Sequence, residues 1–471
     1  MDDQQLGALH NLPKHVKYKH VYRPFDYYWG LGVEHETYIQ TSVYKSILSF
    51  EDRMKPERYS VSYYTAYKKD ILMKALDTVG AIMAPILINA YAVLNTDLFG
   101  QHKTLYIRGS PPNPAFNGKT MFEWMTEQSE WLSAQYDRSF VWDGDTVEFI
   151  TQDFYKATVD RVIAELAATE ARFSREIGAL PYKGILKELG PLRLVEQNEP
   201  WAVYSTNRDN VAMFNNGTIH INVTLPTRLD WFCRPMWRTD FVDKHRVLAR
   251  LIQWVEPLWV ALYGSPDPFT RYPSLRPSFA AGSQRLAVSR YIGIGTFDTN
   301  TMATGKILQI QKKDVPWYDA LHAKTEYAPL DVIGLDINFN KHWAHGIEIR
   351  IFDQIPLVQI REILTHVVAL MDLSLTMKTV ANPRDSIVWQ QMATESMYSG
   401  PAMVFEPMML NTMWGAFGLT HESKGPLTPE ATMTQLLSLL EPLHGYCWEH
   451  IVEGKGLTTS CNTCRKNTRL P

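Results

Sequence analysis

The sequence predicts an α+β domain built on an antiparallel sheet, and three observations carry that prediction. Apolar runs with a two-residue period and runs with a helical period follow one another without a regular strand–helix–strand rhythm. No Gly-x-Gly-x-x-Gly or Gly-x-x-x-x-Gly-Lys-Ser/Thr segment opens a helix, which argues against Rossmann and P-loop folds. Several strands set charged side chains on one face against aliphatic ones on the other.

In chain order, residues 10–24 form a His/Lys-rich arm (residues 1–24 as a unit), read as a solvated leader with a phosphate or partner contact as the alternative. Trp29 to Ile39 reads as a strand, residues 65–78 suit a helix, and Tyr106 to Gly118 is a Pro/Gly/Asn-rich loop. Tyr136–Trp142 and Thr146–Thr151 flank the turn signal Asp143-Gly144-Asp145 and predict a hairpin. Helical spacing follows at Val159, Val162, Ile163, Leu166, Phe173 and Ile177, and again from Val247 to Leu262. Ile219–Leu225 and Gly346–Phe352 are further strands, the second leading into a helix through Leu357, Ile360, Leu364, Val367 and Met371. Residues 25–400 read as one catalytic domain and 401–471 as an appended helical tail.

The chain has 471 residues, 47 basic and 50 acidic, for a net charge of −3, and is 45% apolar. That balance excludes a disordered chain and a dedicated nucleic-acid binder. The longest apolar candidate, Ala81 to Leu94, is broken by Pro85, Asn89 and Tyr91 and falls short of the roughly 18 residues of a membrane span. Met1-Asp2-Asp3-Gln4-Gln5 lacks the basic-then-apolar order of a signal peptide, and four cysteines do not make a disulfide framework. A cytoplasmic protein with no membrane or specific nucleic-acid partner is expected, and nothing in the sequence indicates an oligomeric state.

The chemistry lies in the polar faces of the strands. Glu34 and Glu36 share a face in Gly32-Val33-Glu34-His35-Glu36. Glu148 opposes Val147 and Phe149; His220 and Asn222 oppose Ile219, Ile221 and Val223; Glu348 and Arg350 sit between Ile347, Ile349 and Ile351. Asp137 and Ser139 repeat the pattern on the first hairpin arm. Each strand alone reads as the wet face of a half-exposed sheet. Gathered on one sheet, the acids would repel each other and call for cations. Oxygen ligands with one imidazole suit Mg²⁺ or Mn²⁺, and a neighbouring arginine suits phosphate chemistry.

At these residues the sequence resembles the carboxylate–amine ligases related to glutamate–cysteine ligase, in the glutamine-synthetase-like superfamily. Gly32-Val33-Glu34-His35-Glu36 is similar to the family's G-[VI]-E-x-E, Glu148-Phe149-Ile150-Thr151 to E-[FL]-[IV]-T-P, Asn216 to Asn222 to its G-x-H-[IV]-[HN] strand, and Gly346 to Asp353 to the closing [IV]-E-[FVI]-R strand. They occur in family order over roughly residues 30–380, with Gln152 where Pro is common and Asn222 where many members have a second His. The resemblance implies a saddle-shaped antiparallel sheet with flanking helices, holding ATP and Mg²⁺ (or Mn²⁺). It implies Glu34, Glu36, Asp137, Glu148, His220 and Glu348 as metal ligands, with Arg350 on phosphate. The implied reaction joins a carboxylate, glutamate or a peptide acid, to an amine through an acyl-phosphate. Arg285 and Arg290, in a Gly- and hydroxyl-rich segment, suit a phosphate or substrate-carboxylate loop, with a surface loop of ordinary turn glycines as the alternative, and Lys341 is a further phosphate candidate. A non-catalytic scaffold retaining the fold and a two-metal phosphoesterase are the alternatives.

Three of the four cysteines fall in the last 25 residues: Cys447-x-x-His450, ten residues, then Cys461-x-x-Cys464. That is the spacing of a closed Cys₃His site for Zn²⁺, with a Cys461–Cys464 redox pair or coincidental thiols as alternatives.

Overall fold

The computed structural model describes residues 27–48, 66–88, 93–94, 119–143, 146–181, 187, 190–196, 199, 201–205, 207–213, 217–228, 230, 235–266, 283, 299–300, 302, 337–339 and 346–455. Thirteen strands are described: β1 (Tyr27–Thr37), β2 (Ile39–Ile47), β3 (Ile82–Ile88), β4 (Val93–Leu94), β5 (Lys119–Thr120), β6 (Phe140–Asp143), β7 (Thr146–Ile150), β8 (Leu192–Leu194), β9 (Trp201–Tyr204), β10 (Asn207–Met213), β11 (Thr218–Arg228), β12 (Ile337–Phe339) and β13 (Ile347–Asp353). The described α-helices are α1 (Ala66–Val79), α2 (Met121–Glu127), α3 (Glu130–Gln135), α4 (Val159–Gly178), α5 (Arg238–Tyr263), α6 (Leu357–Thr376), α7 (Ile387–Ser399), α8 (Pro407–Ala416) and α9 (Pro429–Leu440).

A six-stranded sheet in the order β12-β13-β11-β1-β7-β6 has every neighbour antiparallel, and the α+β class stands. Its aliphatic face, including Leu31, Val33, Phe149, Ile219, Ile221 and Ile349, lies in the main core, with α4 against β1 and β7 and α5 against β11 and β13. α6 packs on α4 and α5. The period that predicts α4 buries Val159, Val162, Ile163, Leu166, Phe173 and Ile177, and Thr158 caps its start by accepting from the Arg161 N–H. Met413 and Trp414 of α8 and Leu436 of α9 belong to the same core, so the helices beyond residue 400 share it.

A second sheet, β10-β9-β3-β2-β8, contains one parallel pair, β3 with β9. The strand predicted at Trp29–Ile39 crosses into it, since β1 continues through Tyr38 into β2. The apolar run from Ala81 supplies β3, with Pro85 opposite Tyr44 where the β2–β3 register shifts. Among the described residues no helix is long and apolar enough to cross a membrane.

Two glycines let the site strands approach. A Cβ at Gly346 would lie 2.1 Å from the Val223 carbonyl oxygen, and one at Gly217 would lie 2.3 Å from that of Glu36. Both positions precede strands that carry site residues, and any side chain there would push β13 or β11 off its neighbour.

Candidate metal centre

Strand register collects the polar residues that alternation singles out. Glu34 is the Cα partner of His220 across β1 and β11, Asn222 of Glu348 across β11 and β13, and Glu36 of Glu148 across β1 and β7. The acids, the imidazole and Arg350 therefore line one face of the sheet, opposite the face that the helices cover.

Two groups form there. Glu34, His220 and Glu348 each offer a ligand atom, all within 4.8 Å of one another, and all three residues are buried. Glu36, Asp143 and Glu148 make a second, more open group on the same distance criterion. Asn222 donates from Nδ2 to Oε1 of Glu34 at 3.2 Å, and Arg350 donates from Nη1 to Oε1 of Glu348 at 3.2 Å. The Asn222 amide thus steadies a carboxylate from a position where many members of the resembled family have histidine.

Hydrogen bonding decides what the His220 ring offers. Thr218 Oγ1 donates its single proton to Oε2 of Glu36 at 2.9 Å and lies 3.3 Å from Nε2 of His220. Nδ1–H points at the Glu34 and Glu348 carboxylates, and a cation held among them would take that proton's place. Nδ1 stands 3.4 Å from Oε2 of Glu34 and 3.7 Å from Oε1 of Glu348. Burial, and then the Arg350 charge, hold the imidazole below its ordinary pKa against the pull of Glu34, Glu348 and Glu36. A neutral nitrogen beside two carboxylate oxygens is a donor set that fits Mg²⁺ or Mn²⁺.

The local sequence fixes the strands that carry these groups. The Val33 N–H donates to Thr151 Oγ1 at 2.9 Å and the Thr151 N–H donates to the Val33 carbonyl at 3.0 Å, so the threonine after Glu148-Phe149-Ile150 ties β7's end to β1. Gln152 uses its own N–H, donating to Glu165 Oε1 at 2.8 Å, which a proline at this position could not do. Behind the sheet, His35 Nδ1 lies 2.6 Å from Glu170 Oε1, so the histidine between the two glutamates belongs to the opposite face.

Of the expected site residues, Glu34, Glu36, Glu148, His220, Glu348 and Arg350 come together on one face. Asp137 does not: it is exposed, at φ +59° in the turn before β6. The acid that joins Glu36 and Glu148 is Asp143, which sits on the same parity of that arm but inside the strand, paired with Thr146. The sequence signal for Asp143 was present as the first residue of the Asp-Gly-Asp turn, where a turn role was the simpler reading. Arg285, Arg290 and Lys341 lie outside the described residues. Ser283, from the same polar segment as the two arginines, donates from Oγ to Oδ2 of buried Asp353 at 2.7 Å, and Ser265 N–H donates to the same oxygen at 3.0 Å.

In the C-terminal motif Cys461 and Cys464 lie outside the described residues. Cys447 is buried beside Asp372, where burial and the carboxylate push its thiol pKa up. His450 is buried against Trp29 at 5.8 Å between ring centroids, its Nδ1 donating to the Lys455 carbonyl at 2.6 Å.

No protein-family model matches the chain. The chain is 34% identical over 412 residues to Uncharacterized protein R704 of Acanthamoeba polyphaga mimivirus, an alignment that covers 85% of this chain and 72% of the viral one. The chain therefore belongs to the family of that mimivirus protein.

Proposed function

We propose that the protein is an ATP- and Mg²⁺-dependent ligase that joins a carboxylate to an amine, with the saddle-shaped sheet of the glutamine-synthetase-like superfamily. The observation that carries the reading is the convergence of Glu34, His220 and Glu348 within 4.8 Å on a buried sheet face, with Arg350 hydrogen-bonded to one of them. Four strand motifs in the family's order support it.

In this reading Glu34, His220 Nδ1 and Glu348 hold one divalent ion, and Glu36, Asp143 and Glu148 hold a second. Bound Mg²⁺ supplies neutralisation of the triphosphate and of the phosphoryl group in transit. The γ-phosphoryl passes to an oxygen of the substrate carboxylate and ADP departs. The amine nitrogen then attacks the acyl carbon, inorganic phosphate leaves, and the nitrogen loses a proton. Arg350 is placed to pair with phosphoryl oxygens through its planar fork. Asn222 and Thr218 keep Glu34 and Glu36 oriented, so the donor set needs little rearrangement to take a metal.

The test incubates the full chain with ATP, Mg²⁺ and pooled amino acids and measures amine-dependent ADP release. Amine-dependent ADP is expected; absence of both ATP binding and ADP formation overturns the reading.

A further inference from the structure

At the far end of the β1–β11 pair from Glu34 and His220, Arg228 presents an unused donor. It is the Cα partner of Tyr27, and its guanidinium carbon lies 4.4 Å from the Tyr27 ring centroid and 5.9 Å from that of Trp237. The stack holds the guanidinium plane, yet Nε is buried with no hydrogen-bond partner among the described residues. A buried cationic donor left without an acceptor costs stability and calls for an explanation.

The surroundings supply one. Arg228 lines a cavity of about 50 Å³ with Leu225, Phe241, Lys244 and Leu375, and Asp240 adds one negative charge against the two positive ones. His245, also on the wall, is already committed: Nε2 accepts from the Leu225 N–H at 3.1 Å and Nδ1 donates to the Phe241 carbonyl at 2.8 Å. The Thr227 hydroxyl, also on the wall, donates to the Leu225 carbonyl at 2.6 Å, so the net charge of the cavity is cationic, and its remaining walls are aromatic and aliphatic. Trp237, 45% exposed, forms the outer wall.

The geometry points to a binding site for a small oxyanion, phosphoryl or carboxylate, carried on an apolar ring. Guanidinium N–H groups in a fixed plane donate bidentately to such a head, Lys244 adds a second charge, and Trp237 and Tyr27 cover the ring. The cavity admits a head group and not a nucleotide. It stands roughly 23 Å along β1 from Glu34, at about 3.3 Å per residue, so it is separate from the acidic face and independent of the ligase reading.

Calorimetric titration of the full chain in metal-free buffer tests it, with phenyl phosphate in one arm and benzoate in the other. One-to-one binding of at least one probe is expected, weakened about tenfold or more in Arg228→Ala and unchanged in Glu34→Gln. The stronger arm tells a phosphoryl ligand from a carboxylate. If Arg228→Ala does not fold, Arg228→Lys carries the same comparison, because it keeps the charge but loses the planar fork and the stack. The site is overturned if neither probe binds, if binding survives the loss of the guanidinium, or if it disappears in Glu34→Gln.

Discussion

The Thr218 hydroxyl donates to Oε2 of Glu36 at 2.9 Å while lying 3.3 Å from Nε2 of His220, so one side chain touches both acidic groups of the sheet face. Thr218→Val removes both the donor to Glu36 and the hydroxyl that lies against the imidazole. Mn²⁺ affinity, read by electron paramagnetic resonance, is expected to fall about tenfold to a hundredfold, the usual effect of losing a group that orients ligands. Thr218→Ser should restore it. Unchanged affinity in Thr218→Val would show that the hydroxyl orients nothing.

Asp137 and Asp143 give a direct contrast. Both side chains are exposed, but Asp143 shares a group with Glu36 and Glu148, whereas Asp137 sits in the turn before β6. Asp143→Asn should weaken Mn²⁺ binding and ADP formation, and Asp137→Asn should leave both near wild type. The reverse result would return the ligand role to Asp137.

Glu34→Gln and Glu348→Gln each keep side-chain shape and remove a charge from a buried group that already contains Arg350. Glu34→Gln should fold with an unchanged or slightly raised melting temperature, since a buried carboxylate is costly to hold, whereas Glu348→Gln takes the carboxylate from Arg350 and should fold with a lowered one. ADP formation should be abolished in each. Retained turnover with a normal melt would remove that residue from the metal centre.

Stability should fall in mild acid through His366. Burial between α5 and α6 lowers its pKa to about 4, and its Nδ1 accepts from Trp259 Nε1 at 3.3 Å, a bond that requires the neutral ring. The folded value lies below the unfolded one near 6.5. The contribution is therefore complete above pH 6.5 and is lost as pH falls toward 4, amounting to about 3 kcal/mol at the acid end. Urea titrations across that window should show the loss in the wild type and a flatter profile in His366→Asn, which keeps an acceptor and cannot titrate. Equal slopes would assign the acid sensitivity elsewhere.

Asp372 of α6 accepts backbone N–H bonds from Gly445, Cys447 and Trp448, each at 2.8 Å, and locks the segment that carries Cys447 and His450 onto the core. Asp372→Ala should cost about 3 kcal/mol or more by orphaning those donors. The Cys447 thiol should resist alkylation until the protein unfolds. Zinc binding by the Cys447-x-x-His450 and Cys461-x-x-Cys464 pairs would require that thiol to surrender its proton and its Asp372 partner. Metal analysis is expected to find one zinc per chain, lost in Cys461→Ser; a zinc-free wild type would leave Cys447 with the Asp372 lock alone.

Alternation along single strands was enough to place Glu34, Glu36, Glu148, His220, Glu348 and Arg350 on polar faces, because side-chain direction in a strand has a period of two whatever the neighbours are. The helical spacing from Val159 and from Val247 was legible for the same local reason. β2 was not, because Ile39–Ile47 mixes polar and apolar residues and becomes a strand through pairing with β3 and β8. Nor was the role of Ile82–Ile88, which became a strand by finding partners in β2 and β9.

Sequence by itself thus determined the α+β class, the polar faces and the residue types that a divalent ion would meet. Tertiary structure alone decided that four strands bring those faces into one row, that Asp143 and not Asp137 completes the second group, and that Thr218 and Asn222 orient the acids. It alone set Arg228 between Tyr27 and Trp237. Faces follow from backbone geometry within a strand, but which residues meet across strands depends on register, and register is settled by the pairing and burial of the whole sheet.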